Sequence, residues 1–193
     1  MIFSETRLAG AYTVDIDRRK DDRGHFARTF CADEFSAHGL RPMVAQASVS
    51  FNTKRGTLRG LHFQYPPAAE TKYVRCTRGA VFDVIVDLRP HSPTYLEHLA
   101  VVLSAENGRG LYVPKCFAHG FITLEDNTEL IYLISGSHTP NAEGGLRYDD
   151  PMLRVDWPLP VSVISPRDTA WSSISEIEHE LKSRMNPGEA AYC

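Results

Sequence analysis

Segment 57–64 reads T-L-R-G-L-H-F-Q and places Arg59 and His62 among apolar neighbours, where a strand should present a core face. An imidazole can move a proton near neutral pH. A guanidinium can grip a carboxylate or phosphate with its planar fork. Strict alternation would send the two side chains to opposite faces of a strand. Gly60 lies between them, and a glycine inside a strand marks a bulge or a close backbone approach. A bulge there would bring both side chains into one cavity. The alternative is an edge strand, with Arg59 in solvent and His62 satisfied in the core.

Lys72 opens K-Y-V-R-C-T and shares strand parity with Val74 and Cys76. A lysine at a strand start is usually solvated; turned inward beside His62, it could stabilise a developing oxyanion. His119 lies in P-K-C-F-A-H-G-F (114–121), after a proline-led turn and before a glycine. That segment resembles the second half of the cupin motif. The first half requires H-x-H, but His62 is followed by Gln64, with Glu70 and Gly79 further on. His62, Glu70 and His119 remain as an incomplete two-histidine, one-carboxylate metal set. Tyr132, in L-I-Y-L-I, reads as a core tyrosine whose hydroxyl needs one partner. Asp168, in S-P-R-D, reads as a turn residue.

The elements that must position these groups are short apolar runs between turn signals, the pattern of an all-β sandwich or barrel. Strands are predicted over 11–17, 25–30, 43–51, 57–63, 72–77, 80–88, 96–103, 110–113, 120–124 and 129–135. In 80–88 the set Phe82, Val84, Val86 and Leu88 is uniformly apolar, so that face is expected to meet the core. One or two helical turns are expected over 32–38, ending at Gly39. Segment 173–185 predicts an amphipathic helix, with Ile174, Ile177, Leu181 and Met185 on one stripe. Ser173 and Glu176 have capping-box spacing, and Pro187 and Gly188 stop the helix before a frayed tail. The expected organisation is one domain over 1–171, with 172–193 its C-terminal helix and tail.

Composition narrows the function classes. A chain of 193 residues with net charge −3 lacks the basic footprint of a nucleic-acid binder. No apolar run reaches bilayer length, and no signal-peptide pattern opens the chain. The four cysteines show no metal-knuckle spacing and read as reduced thiols of a cytoplasmic protein. Sixteen arginines against five lysines hint at an anionic small ligand, or reflect codon usage.

Taken together, the motifs resemble the dTDP-4-dehydrorhamnose 3,5-epimerase family. They are D-D-R-G-H-F (21–26), R-G-L-H-F-Q (59–64), K-Y-V-R-C (72–76), G-A-V-F-D-V-I-V-D-L-R (79–89), S-P-T (92–94), L-S-A-E-N (103–107), P-K-C-F-A-H-G-F (114–121), D-D-P (149–151), D-W-P (156–158) and S-P-R-D (165–168). The resemblance implies an all-β, cupin-type antiparallel jelly roll with a few short helices. It implies a cofactor-free epimerase, without metal, that inverts C3, C5 or both of a nucleotide-linked 4-keto-6-deoxyhexose. It also implies a homodimer.

By the same resemblance, His62 is the general base, Asp168 the carboxylate that partners it, Lys72 the enolate-stabilising group and Tyr132 the acid. Arg59, His119 and Arg167 match substrate contacts; Arg23, Phe26, Gln46 and Glu143 match further nucleotide or sugar contacts. Several positions depart from the family pattern. Arg28 stands where a nucleobase-contacting Glu is usual, which leaves the base open. Ser48 stands where Asn is common, and Cys116 where Gly is usual. His138 stands where a Tyr lines the sugar pocket, which leaves open the carbon inverted. Two other readings of the residues stay open: a metal-dependent cupin enzyme using His62, Glu70 and His119, and a non-catalytic sugar-nucleotide-binding module.

Overall fold

The structure is a computed structural model and describes residues 1–185. Two antiparallel sheets face each other in a jelly roll. The six-stranded sheet runs β1 (Ile2–Glu5), β2 (Tyr12–Asp15), β10 (Gly110–Val113), β7 (Lys72–Arg78), β12 (Thr128–Ile134) and β5 (Gln46–Asn52). The five-stranded sheet runs β13 (Glu143–Gly145), β6 (Leu58–Gln64), β11 (Phe117–Thr123), β8 (Ala80–Asp87) and β9 (His98–Ser104). From β5 to β8, and again from β10 to β13, successive strands alternate between sheets. Residues close in sequence therefore face each other across the sandwich. A separate hairpin joins β3 (Arg19–Asp21) to β4 (Gly24–Phe26).

Apolar residues fill three layers. Between the sheets lie Val74, Val81, Ile85, Leu111, Phe121 and Leu130, all nearly inaccessible to solvent. Helix α1 (Ala32–Ala37) covers the outer face of the six-stranded sheet, burying Phe35 against Tyr73 and Tyr112. Helix α3 (Ile174–Arg184) covers the outer face of the five-stranded sheet, where Ile174 and Leu181 meet Leu61, Phe63, Val84 and Val86. Its expected capping box is present: Glu176 accepts from the Ser173 backbone N–H at 2.8 Å. The expected stop at Pro187 and Gly188, and the tail, lie outside the described residues.

The apolar face of β8 meets a core layer as expected, and the structure adds that the strand is buried on both faces, as a central strand between two layers must be. Its apolar set, Val84, Val86 and Leu88, meets the layer under α3, while Val81, Asp83 and Ile85 point between the sheets. One expectation needs correction: strand β11 begins at Phe117 rather than 120, so His119 sits mid-strand, after the turn, rather than just ahead of the strand. Cys116, immediately before it, has a positive φ of 59°. The short strands β1, β3 and β13, and the four-residue helix α2 (Pro166–Thr169), were not expected. Sequence E-G-G of β13 has no strand signature; pairing with β6 makes it a strand.

Candidate active site

A cavity of about 610 Å³ opens between the sheets, floored by β6 and β11 on one side and β5, β7 and β12 on the other. Arg59 and His62 both line it. His62 pairs with His119 and Arg59 with Phe121, so three steps along β6 match two along β11. That extra residue is the expected bulge. Gly60 has φ +124°, and a Cβ on it would fall 2.5 Å from Gly120 Cα. A Cβ on Gly120 would fall 2.7 Å from the Arg59 carbonyl oxygen. The two backbones touch there, and only glycine fits at either position.

His62 donates from Nε2 to Asp168 Oδ1 at 2.6 Å. Helix α2 delivers Asp168: Pro166 opens the helix and Ser165 Oγ accepts the Asp168 N–H at 3.1 Å. Asp168 is 3% exposed. Burial alone would raise its carboxyl; the His62 hydrogen bond and charge, with the Gly60 N–H, outweigh this and hold it below the ordinary carboxylate range. The carboxylate is therefore ionised at neutral pH and accepts only. That places the proton of neutral His62 on Nε2 and leaves Nδ1 a basic lone pair.

Lys72 stands on the facing sheet. Its Nζ lies 3.4 Å from Glu70 Oε1 and 3.5 Å from the His62 carbonyl oxygen. Burial pulls its ammonium down from the ordinary lysine range, opposed by Glu70 and Asp83. Tyr132 also lies on the facing sheet, with its ring 5.9 Å from that of His119. Burial first, then the charge of Asp83, pushes its phenol well above the usual tyrosine range. It is a loaded proton donor at neutral pH. Among the described residues its hydroxyl has no hydrogen-bond partner, so the expected core partner is absent.

His119 forms a second buried histidine–aspartate pair, Nε2 lying 2.9 Å from Asp83 Oδ2. Burial raises the Asp83 carboxyl, against the pull of His119 and Lys72. Arg59 is aimed by its Nε–H, which donates to Asn52 Oδ1 at 2.7 Å. Neither Asp83 nor Asn52 was singled out by sequence reasoning. A carboxylate inside F-D-V-I-V-D was the available signal for Asp83; Asn52 offered none.

Gln46 and Ser48 line the cavity from β5, with Ser48 opposite Tyr132 in register. At the mouth, Glu143 pairs with Arg167 and lies 3.3 Å from His138, which is 58% exposed. Three expected contacts are not brought to the cavity within one chain. Arg23 is 90% exposed and paired with Asp21. Phe26 is 74% exposed and borders a separate, smaller cavity beside Arg75. Arg28 pairs with Glu34 of α1 at 2.7 Å. The reason is topological: hairpin β3–β4 is hydrogen-bonded to neither large sheet.

The metal set also fails to assemble. His62 and His119 each commit Nε2 to an aspartate, and Glu70 is taken by Lys72 and Gln64. Among the described residues no group of three donors is placed to hold an ion. No helix among them is long and apolar enough to cross a membrane.

Residues 5–176 match the family model described as dTDP-4-dehydrorhamnose 3,5-epimerase. The Sinorhizobium fredii dTDP-4-dehydrorhamnose 3,5-epimerase is 38% identical over 178 residues, covering 92% of this chain and 91% of its own. The Streptomyces niveus dTDP-4-dehydrorhamnose 3-epimerase is 40% identical over 162 residues, 83% and 78% of the two chains. The Bacillus anthracis dTDP-4-dehydrorhamnose 3,5-epimerase crystal structure, with TDP and PPi bound, superposes with a TM-score of 0.87 at 35% identity. It covers 89% of this chain and 98% of its own.

Proposed function

The chain belongs to the dTDP-4-dehydrorhamnose 3,5-epimerase family and is a nucleotide-sugar epimerase, and we propose that His62, Asp168, Lys72 and Tyr132 carry its reaction. The substrate is a dTDP-linked 4-keto-6-deoxyhexose, whose carbonyl acidifies the hydrogens on the carbons beside it. His62 Nδ1 removes one of these protons. Asp168 holds the imidazole in the productive tautomer and stabilises the imidazolium that forms. Lys72 faces the carbonyl oxygen and stabilises the enolate charge. Tyr132 returns a proton from the other side, which inverts the carbon. The residues supply base, acid and charge stabilisation without a cofactor. Arg59 and Arg167 bind the diphosphate, and Gln46, Ser48, His119, His138 and Glu143 contact sugar or nucleotide.

One observation carries this reading. The base and the acid stand on opposite sheets of one cavity, His62 backed by an ionised carboxylate and Tyr132 held as a phenol. A non-catalytic binder needs neither state. The test is incorporation of solvent deuterium at C3 or C5 of dTDP-4-keto-6-deoxyglucose without added metal, with CDP- and GDP-linked analogues in parallel. No exchange into any of them overturns the reading.

The protein is proposed to act as a cytoplasmic homodimer. Arg23, Phe26 and Arg28 lie outside the cavity of their own chain, so their role as substrate contacts requires a second copy. Sedimentation as a monomer at assay concentration would remove them from the site.

A further inference from the structure

Trp171 follows α2 by two residues and had no part in the reading above. Its ring centroid lies 6.3 Å from that of His62, with the planes 66° apart. The guanidinium carbon of Arg167 lies 5.4 Å from the same ring. On a third side the indole packs against Gly145, the register partner of His62. A Cβ on Gly145 would fall 2.1 Å from Trp171 Cε2. The backbone of β13 is therefore bare where the indole seats.

The indole N–H is buried with no hydrogen-bond partner among the described residues. Such a group destabilises the folded state. Its ring contacts, not its polar atom, account for the indole's position. The path of the chain shows what those contacts do. The entrance to α2 is tied to β6 by the parallel bridge between Thr57 and Val163. Helix α2 itself has only four residues. Its exit meets β6 and β13 through the indole.

We propose that Trp171 is a positioning residue: its indole, seated on Gly145, is the backstop that holds the His62 imidazole on Asp168 and aims Arg167. This rests on the reading of His62 as the proton-moving group. It concerns a residue that does not line the cavity and acts only through others.

The experiment compares wild type with Trp171→Ala, Trp171→Phe, Gly145→Ala and the Gly145→Ala/Trp171→Phe double variant. Two readouts are used. One is kcat for deuterium exchange into the keto sugar. The other, independent of activity, is the downfield proton resonance of the His62–Asp168 hydrogen bond at low temperature. Misplacing a reacting group by an ångström costs up to about a hundredfold in rate. Trp171→Ala should lose about tenfold to a hundredfold in kcat and broaden the downfield proton into exchange with water. Trp171→Phe keeps a ring and sheds the unpaired N–H, and should recover most of both. Gly145→Ala should mimic Trp171→Ala by displacing the indole, and the smaller phenyl of the double variant should relieve it. If Trp171→Ala fails to fold, the Gly145 pair carries the same test. Unchanged kcat and an intact downfield proton in Trp171→Ala or in Gly145→Ala overturn the proposal. So does a double variant no better than Gly145→Ala alone. A wild type that exchanges no substrate but loses its downfield proton in Trp171→Ala overturns the catalytic reading and upholds the positioning.

Discussion

His62 and Asp168 are 106 residues apart in the chain, yet Nε2 and Oδ1 lie 2.6 Å apart. The imidazole is on strand β6 and the carboxylate on the short helix α2 packed beside it. A removable pair of this kind invites direct perturbation. His62→Ala should abolish exchange at C3 and C5. Asp168→Asn should lower kcat by about 10²–10⁴-fold while leaving substrate affinity nearly unchanged. Wild-type exchange in His62→Ala would remove the base from the mechanism.

Tyr132 is expected to reveal itself through stereochemistry. Its phenol is held well above 10.0 by burial and by Asp83, so the donor stays loaded across neutral pH. Tyr132→Phe should lose inverted product about a hundredfold or more, yet still let His62 exchange the proton it removes. The wild-type rate profile should show no alkaline limb below pH 10 from this phenol. NMR of product configuration alongside deuterium content separates the two steps.

Lys72 should matter to the charged transition state more than to binding. Lys72→Met removes one donor from the enolate oxygen, which costs about 10²–10³-fold in kcat. Its KM should change far less. Equal rises in KM and falls in kcat/KM, with kcat intact, would reassign it to ground-state binding.

At the mouth, His138→Tyr changes the wall the sugar rests against. His138 is 58% exposed, so the melting temperature should hold within a degree or two, while the ratio of deuterium at C5 to C3 should move. Site-resolved NMR of early product measures the ratio. An unchanged ratio would detach this position from the choice of carbon.

Stability has its own test, away from the cavity. Asp87 is fully buried and accepts from Arg89, Ser92 and Thr94. Burial alone would raise its carboxyl; these donors hold it below 3.8. A carboxyl lowered on folding stabilises the fold above its unfolded value, and that contribution disappears as pH falls through the folded value. Asp87→Ala should cost about 3–5 kcal/mol at neutral pH, because it strands a charge and two hydroxyls. Asp87→Asn should flatten the fall in stability on acidification below about pH 4. Urea unfolding at several pH values reads both effects.

Much of the fold was legible in local pattern. Alternation and turn residues marked ten strands, and a capping box with an apolar stripe marked α3. The bulge at Gly60 was legible too, because a glycine between two polar residues in a strand has few other uses. What stayed hidden depended on neighbours distant in sequence. Strand β13 is made by its pairing with β6, and Asp83 became a site residue only because β8 is covered on both faces. Hairpin β3–β4 carries its expected contacts away from the cavity because no sheet edge captures it. By itself, the sequence determined ten of the strands and which chemistry-bearing groups they carry. The tertiary structure alone decided that His62 meets Asp168, that Tyr132 stands on the sheet opposite His62, and that the Trp171 ring lies beside the imidazole. Local preferences act over a few residues, while these juxtapositions arise when two sheets and a helix close on one core.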